Sequence, residues 1–179
     1  MGVTEHITSA ADLALDSEMV LIGLGEEFRK TGNGEKDKAL IDSLNILPGF
    51  LKGKTYFVVD QNPDDLVFLS KLLPFFITAP FGPENRQECG EEQWNTYMRW
   101  LSGTLGHKLL MLELGVGFSN PQVIRWPFEK TLQLNLKSRL VRVHSVFPQL
   151  TPELKQSKRA YSVKADPADW LLAGLRIES

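Results

Sequence analysis

The stretch "KTYFVVDQNPDDLVFL", residues 54–69, decides how the chain is read. A short apolar run, Tyr56-Phe57-Val58-Val59, stops in a packet of amides and carboxylates from Asp60 to Asp65, and apolar residues resume at Leu66. The run is aromatic and β-branched, too short for a helix and free of polar alternation, as expected of a strand buried on both faces. The packet has two readings. Pro63 followed by Asp64 and Asp65 is helix-start chemistry, with Asn62 as the cap. Gln61, Asn62 and Asp64 also supply the amide donors and the carboxylate acceptor that suit the hydroxyls and carboxamide of a nucleotide.

Working outward, the same strand pattern recurs at 19–25 (MVLIGLG), 74–78 (PFFIT), 108–114 (KLLMLEL), 139–146 (RLVRVHSV) and 160–165 (AYSVKA). Helical patterns lie between them. Residues 8–17 form a short helix capped by Thr8 or Ser9, and 26–47 a helix interrupted at TGNGE. A further helix follows Pro63, and EEQWNTYMRWLSGTLG puts Trp94, Tyr97, Met98 and Leu101 on one face. A helix over 122–134 is expected to bend at Pro127, and DPADWLLAGL closes the chain. Alternation of short buried strands with helices predicts an α/β fold. Its form is a three-layer, Rossmann-like parallel six-stranded sheet with helices on both faces, as one domain over residues 1–179.

Composition narrows the function. A formal net charge of −2 gives no case for nucleic acid. The charge is nonetheless uneven: residues 1–90 carry 8 basic and 14 acidic side chains, residues 91–179 carry 12 and 8. A basic half can face an anionic ligand, or it can be a solvated face. No apolar run approaches a membrane span. The N-terminus has acids and no basic start, and His6 stands where an acylation signal at Gly2 wants Ser or Thr, so a cytoplasmic protein is expected. The single cysteine, Cys89, rules out an intrachain disulfide or thiolate zinc cluster. No metal-ligand histidine spacing, G-x-S-x-G elbow or P-loop is present.

Three strand ends carry candidate chemistry. Gly23 and Gly25 in GLGEE let a backbone approach a phosphate, but Glu26 and Glu27 stand where the anion would be, and no third glycine completes a dinucleotide fingerprint. Gly115, Gly117, Ser119 and Asn120 follow the fourth strand. Glu113, a carboxylate within that apolar strand, must find a partner. His144 sits near the end of the fifth strand, on the ligand side.

In order along the chain, these pieces resemble the sirtuins, the NAD-dependent protein deacylases, and within them a divergent bacterial branch linked to macrodomain proteins. AADLALDSEMVLIGLG is similar to the family's opening helix and G-A-G-type turn, and YFVVDQNPDD to its strand and T-Q-N-x-D motif. LLMLELGVGFSNPQVIRWPFE is the most specific match; RLVRVHSVFPQLTPE and RAYSVKADPADWLLAGL are similar to the closing strands and last helix. The resemblance implies NAD as cofactor, with Gly23 and Gly25 at the phosphates and Gln61, Asn62 and Asp64 at the nicotinamide ribose. It implies Gly115, Gly117, Ser119 and Asn120 in the second dinucleotide loop, His144 near the adenosine ribose and Asp166 by the adenine.

The departures matter equally. Where the family has a catalytic histidine, this chain has Ala79-Pro80-Phe81, and neither proline nor phenylalanine accepts a proton. The zinc cysteines and their small domain are absent, as is the segment that closes over NAD. Two functions are therefore expected. One is a module that binds NAD or ADP-ribose, or has lost its ligand, without deacylation, with a protein as a further partner. The other is an NAD-cleaving enzyme, an ADP-ribosyltransferase or hydrolase, in which Asn62 and Asp64 stabilise an oxocarbenium-like state. Both require Gly25, Asn62 and Gly117 to meet at one crevice.

Overall fold

The computed structural model describes residues 6–177, so the reading of Gly2 as a non-acylated position lies outside the described residues. Six strands, β1 (Met19–Leu24), β2 (Thr55–Asp60), β3 (Ile77–Thr78), β4 (Leu109–Leu114), β5 (Arg139–His144) and β6 (Ala160–Lys164), form one sheet in the order β3-β2-β1-β4-β5-β6. Every pairing is parallel. The winding direction reverses between β1 and β4, the place where open α/β sheets take ligands. The three-layer α/β architecture is as the sequence predicts.

Strand alternation sorts the layers. Val20, Ile22, Val58, Leu110, Leu112, Val141 and Val143 face one side and pack on α1 (Ala10–Leu15), α2 (Gly34–Leu44), α3 (Leu47–Phe50) and α7 (Pro167–Leu172). Leu21, Phe57, Val59, Met111 and Leu140 face the other, under α4 (Glu91–Gly103), α5 (Arg125–Leu134) and α6 (Pro152–Ser157). The aromatic face of α4 sits as its spacing predicts: Tyr97 is buried, with its ring 5.3 Å from those of Phe57 and Trp94.

Several local expectations are corrected. The segment after Pro63 makes only a 3-10 turn, Leu66–Leu69, because Asp64 ties its loop to Lys30 and Leu66 instead of starting a helix. The TGNGE break is a helix start: Asn33 accepts from the backbone N–H of Glu35 and Lys36 and caps α2. Pro127 lies in the first turn of α5, where its missing N–H has no intrahelical acceptor to lose. Helices α3 and α6 are additional; α6 is capped by Thr151 on Leu154. At α1, Ser9 is the cap, in a reciprocal box with Asp12.

Glu113 has found its partners. It lies in β4 on the α5 side, beneath Gly23 of β1 across the ladder, and is fully buried. Arg142 of β5 donates to it through Nε (3.0 Å) and Nη2 (3.1 Å), and Arg125 of α5 lies at 3.4 Å. Arg142 also pairs with Glu129 of α5 at 2.7 Å. Removing one member of such a group leaves charge buried without compensation. Glu113→Gln is expected to cost about 3 kcal/mol in urea denaturation, whereas Lys38→Ala, which breaks the exposed Lys38–Asp42 pair, is expected to cost less than about 0.5 kcal/mol.

Candidate functional site

Four strand tips meet at the switch point. The N–H of Gly25, after β1, donates to the carbonyl of Leu114 (2.9 Å), and that of Gln61, after β2, to Leu24 (3.1 Å). The N–H of Gly115, after β4, donates to Val143 of β5 (2.8 Å). Asn62 Nδ2 reaches the Gly25 carbonyl at 2.8 Å, and the Gly117 N–H reaches Glu26 at 2.6 Å. Gly25, Asn62 and Gly117 therefore do converge, as the sequence reading requires.

The glycines at this point let chain approach chain. A Cβ on Gly25 would stand 2.3 Å from the Gly115 carbonyl oxygen and from the Val116 Cα. Gly115 has φ +65°, and a Cβ there would stand 2.5 Å from that of Glu27. The β1 and β4 loops are thus in direct contact. Gly23 lies inside the sheet, below Ile124 and Phe128, where a side chain would displace α5.

The donors that a dinucleotide phosphate would use are engaged by the protein's own carboxylates. Glu26 accepts from the backbone N–H of Gly117 and Ser119 and from the Ser119 hydroxyl. Glu27 accepts from the N–H and hydroxyl of Ser145, just beyond β5. Burial pushes the Glu26 carboxyl up, but the Ser119 and Gly117 donors outweigh it and hold the group below its ordinary value, so it is ionised at neutral pH. An added phosphate would meet two carboxylates and donors already in use. In this conformation the crevice does not fit the diphosphate of NAD or ADP-ribose.

The nicotinamide-side residues divide. Asn62 is buried; both hydrogens of its amide are engaged, by the Gly25 carbonyl and by Asp60 Oδ1 (2.9 Å), so it ties two loops together and caps no helix. Asp64 accepts from the N–H of Lys30 and of Leu66. Gln61 is buried, yet neither its amide nitrogen nor its amide oxygen has a hydrogen-bond partner among the described residues. Asp60, the position where the family motif has threonine, is fully buried, and burial pushes its carboxyl up to about 8, against the pull of the Asn62 donors. It is a neutral acid at pH 7.

On the adenosine side, His144 is buried and its Nδ1 accepts the N–H of Val146 (3.0 Å) and Phe147 (2.9 Å). The Glu27 carboxylate lies 3.7 Å from the same Nδ1. Asp166 caps α7 through the Asp169 N–H. The Asn120 carbonyl accepts from Val123 in the turn before α5. After β3, Ala79 and Gly82 close a turn around Pro80 and Phe81, and no titratable side chain stands among these four.

The fold and these tips define a Rossmann-like α/β domain whose switch point is filled by its own side chains. No known family model matches the chain, and no curated protein matches its sequence. The roles of Asp60 and Ser145 were not legible in advance. The clue to the filling was the Glu26-Glu27 pair directly after GLG, which the sequence reading took as repulsive to an anion. Phe28, directly after that pair, is buried in the core on the α2 and α7 side, and Phe81 is exposed.

Two outcomes follow. Because the Asp60 carboxyl titrates above its ordinary value of 3.8, its contribution to stability is full below about pH 4 and is lost as pH rises toward 8. Asp60→Asn keeps the acceptor for Asn62 and removes the ionisation. Urea denaturation should show the variant gaining on the native protein as pH rises, with a flatter stability profile from pH 5 to about 8. Gln61→Met replaces an unpartnered buried amide by an apolar group of similar size and is expected to raise stability by about 1 kcal/mol, read from the same denaturation curves.

Proposed function

We propose that the chain is a non-enzymatic binding module of sirtuin-like descent, in which affinity for NAD or ADP-ribose is suppressed by its own carboxylates. One observation carries this reading: Glu26 lies on the Gly117 and Ser119 donors of the second dinucleotide loop. A tethered carboxylate competes at high effective concentration with any free phosphate. Deacylation has no support, since Ala79, Pro80 and Phe81 stand where a base is needed. NAD cleavage through Asn62 and Asp64 ranks below the binding reading, because the hydrogens of the Asn62 amide and both Asp64 oxygens are engaged by neighbouring groups.

Calorimetry with NAD and ADP-ribose tests the reading. The native protein is expected to bind neither below the millimolar range. Glu26→Ala/Glu27→Ala, which retains both Cβ atoms, is expected to bind ADP-ribose at least about tenfold more tightly, a gain of roughly 1.4 kcal/mol, with circular dichroism confirming that it is folded. Micromolar binding by the native protein, no gain in the folded variant, or nicotinamide release from NAD would overturn the proposal.

A further inference from the structure

The opposite end of the sheet holds a second concavity. The segments leading into β1, β4, β5 and β6 line a half-open cavity of about 310 Å³. Five cationic residues line it, Lys108, Lys137, Arg139, Lys158 and Arg159, against one acidic residue, Asp16. This collects much of the positive charge of the C-terminal half in one place, on a chain whose net charge is −2.

That charge is poorly compensated. Asp16 serves Lys108 at 2.7 Å and Arg139 at 3.7 Å. Arg159 donates to the carbonyls of Leu132, Asn135 and Ser138, which orient the guanidinium but carry no opposing charge. Lys137 and Lys158 have no ion pair among the described residues. Like charges gathered without partners repel each other, a cost that an anion in the cavity would offset.

Lys158 adds an independent observation. It ends α6 in the left-handed conformation, φ 58° and ψ 17°. Glycine is the ordinary residue there, because a Cβ crowds the following carbonyl in the left-handed conformation. A lysine on the cavity wall at this position disfavours the backbone and adds a fifth cation. An outlier of this kind is a pointer to function.

We propose that this cavity is a binding site for a small polyanion whose charge is carried by phosphoryl groups. The cationic residues line one half-open concavity and do not form an extended stripe, which favours a small ligand over a nucleic-acid strand. Arg159 is fixed by three carbonyls and contributes a permanent positive charge to the wall, and the lysines act as point charges around it. Leu109, Leu136 and Tyr161 complete the wall, so an organic body on the phosphoryl group has surface to rest on. This site is separate from the self-filled crevice and does not depend on how that crevice functions.

The test is calorimetry on the full chain with inorganic pyrophosphate and with phenyl phosphate, at about 20 and about 200 mM salt. Saturable binding that weakens with salt is expected for at least one. Pyrophosphate alone would assign the site to free phosphate chains; binding of both would assign it to a phosphoryl group on a larger molecule. Lys137→Ala/Lys158→Gly should weaken binding about tenfold or more, while Lys155→Ala, on α6 but outside the cavity, should leave it unchanged. Lys158→Gly should not lower the unfolding midpoint, which separates loss of the site from loss of the fold. Absence of saturable binding to either probe, or equal affinity in the double variant, would overturn the proposal.

Discussion

A buried carboxylate, Glu113, organises the end of the sheet where the winding reverses. Its charge cannot remain alone in an apolar strand, so β5 supplies Arg142 and α5 supplies Arg125. Both arginines then reach beyond the carboxylate. Arg125 donates to the carbonyl of Val116 (2.9 Å), and Arg142 to that of Gln149 (3.0 Å). The loops after β4 and β5 are thereby fixed to the same charge group. Replacing the group by apolar residues of similar volume would serve burial alone; it would not fix the path of two polar loops.

With those loops held, the backbone donors at the switch point face a definite place. Gly117 and Ser119 point their N–H groups at an anion, as loops of this class do for phosphate. Here the anion is Glu26, just beyond the end of β1, and Glu27 does the same for Ser145. Carboxylate and phosphate are interchangeable for an amide donor. A carboxylate on the chain has already given up its translational freedom, so it holds the site against a dilute ligand.

The ends of the sheet thus have opposite electrostatic states. At the C-terminal ends of the strands, most polar groups are mutually satisfied; Gln61 and the Thr78 hydroxyl are buried without partners among the described residues. At the N-terminal ends, cationic groups outnumber the carboxylates facing them. An end whose donors are internally matched has little left to offer a ligand, whereas one with uncompensated charge retains attraction for an anion.

By itself the sequence determined the fold class, the six strands and the residue types at each strand tip. These are local quantities: apolar runs of strand length, glycines after them, and aromatic spacing on α4 that commits Tyr97 to the core. It also flagged Glu113 as a carboxylate in need of a partner and Glu26-Glu27 as a conflict with phosphate. Only tertiary structure decided how these were resolved. The partners of Glu113 are 12 and 29 residues away, and Glu26 meets Gly117 across 91 residues. Gly25 packs on a loop that begins with Gly115, so whether its missing Cβ makes room for a ligand or for the chain depends on a neighbour that no local pattern specifies. The basic cavity is likewise invisible along the chain, because three separate strand entries, those of β4, β5 and β6, bring its five cations together.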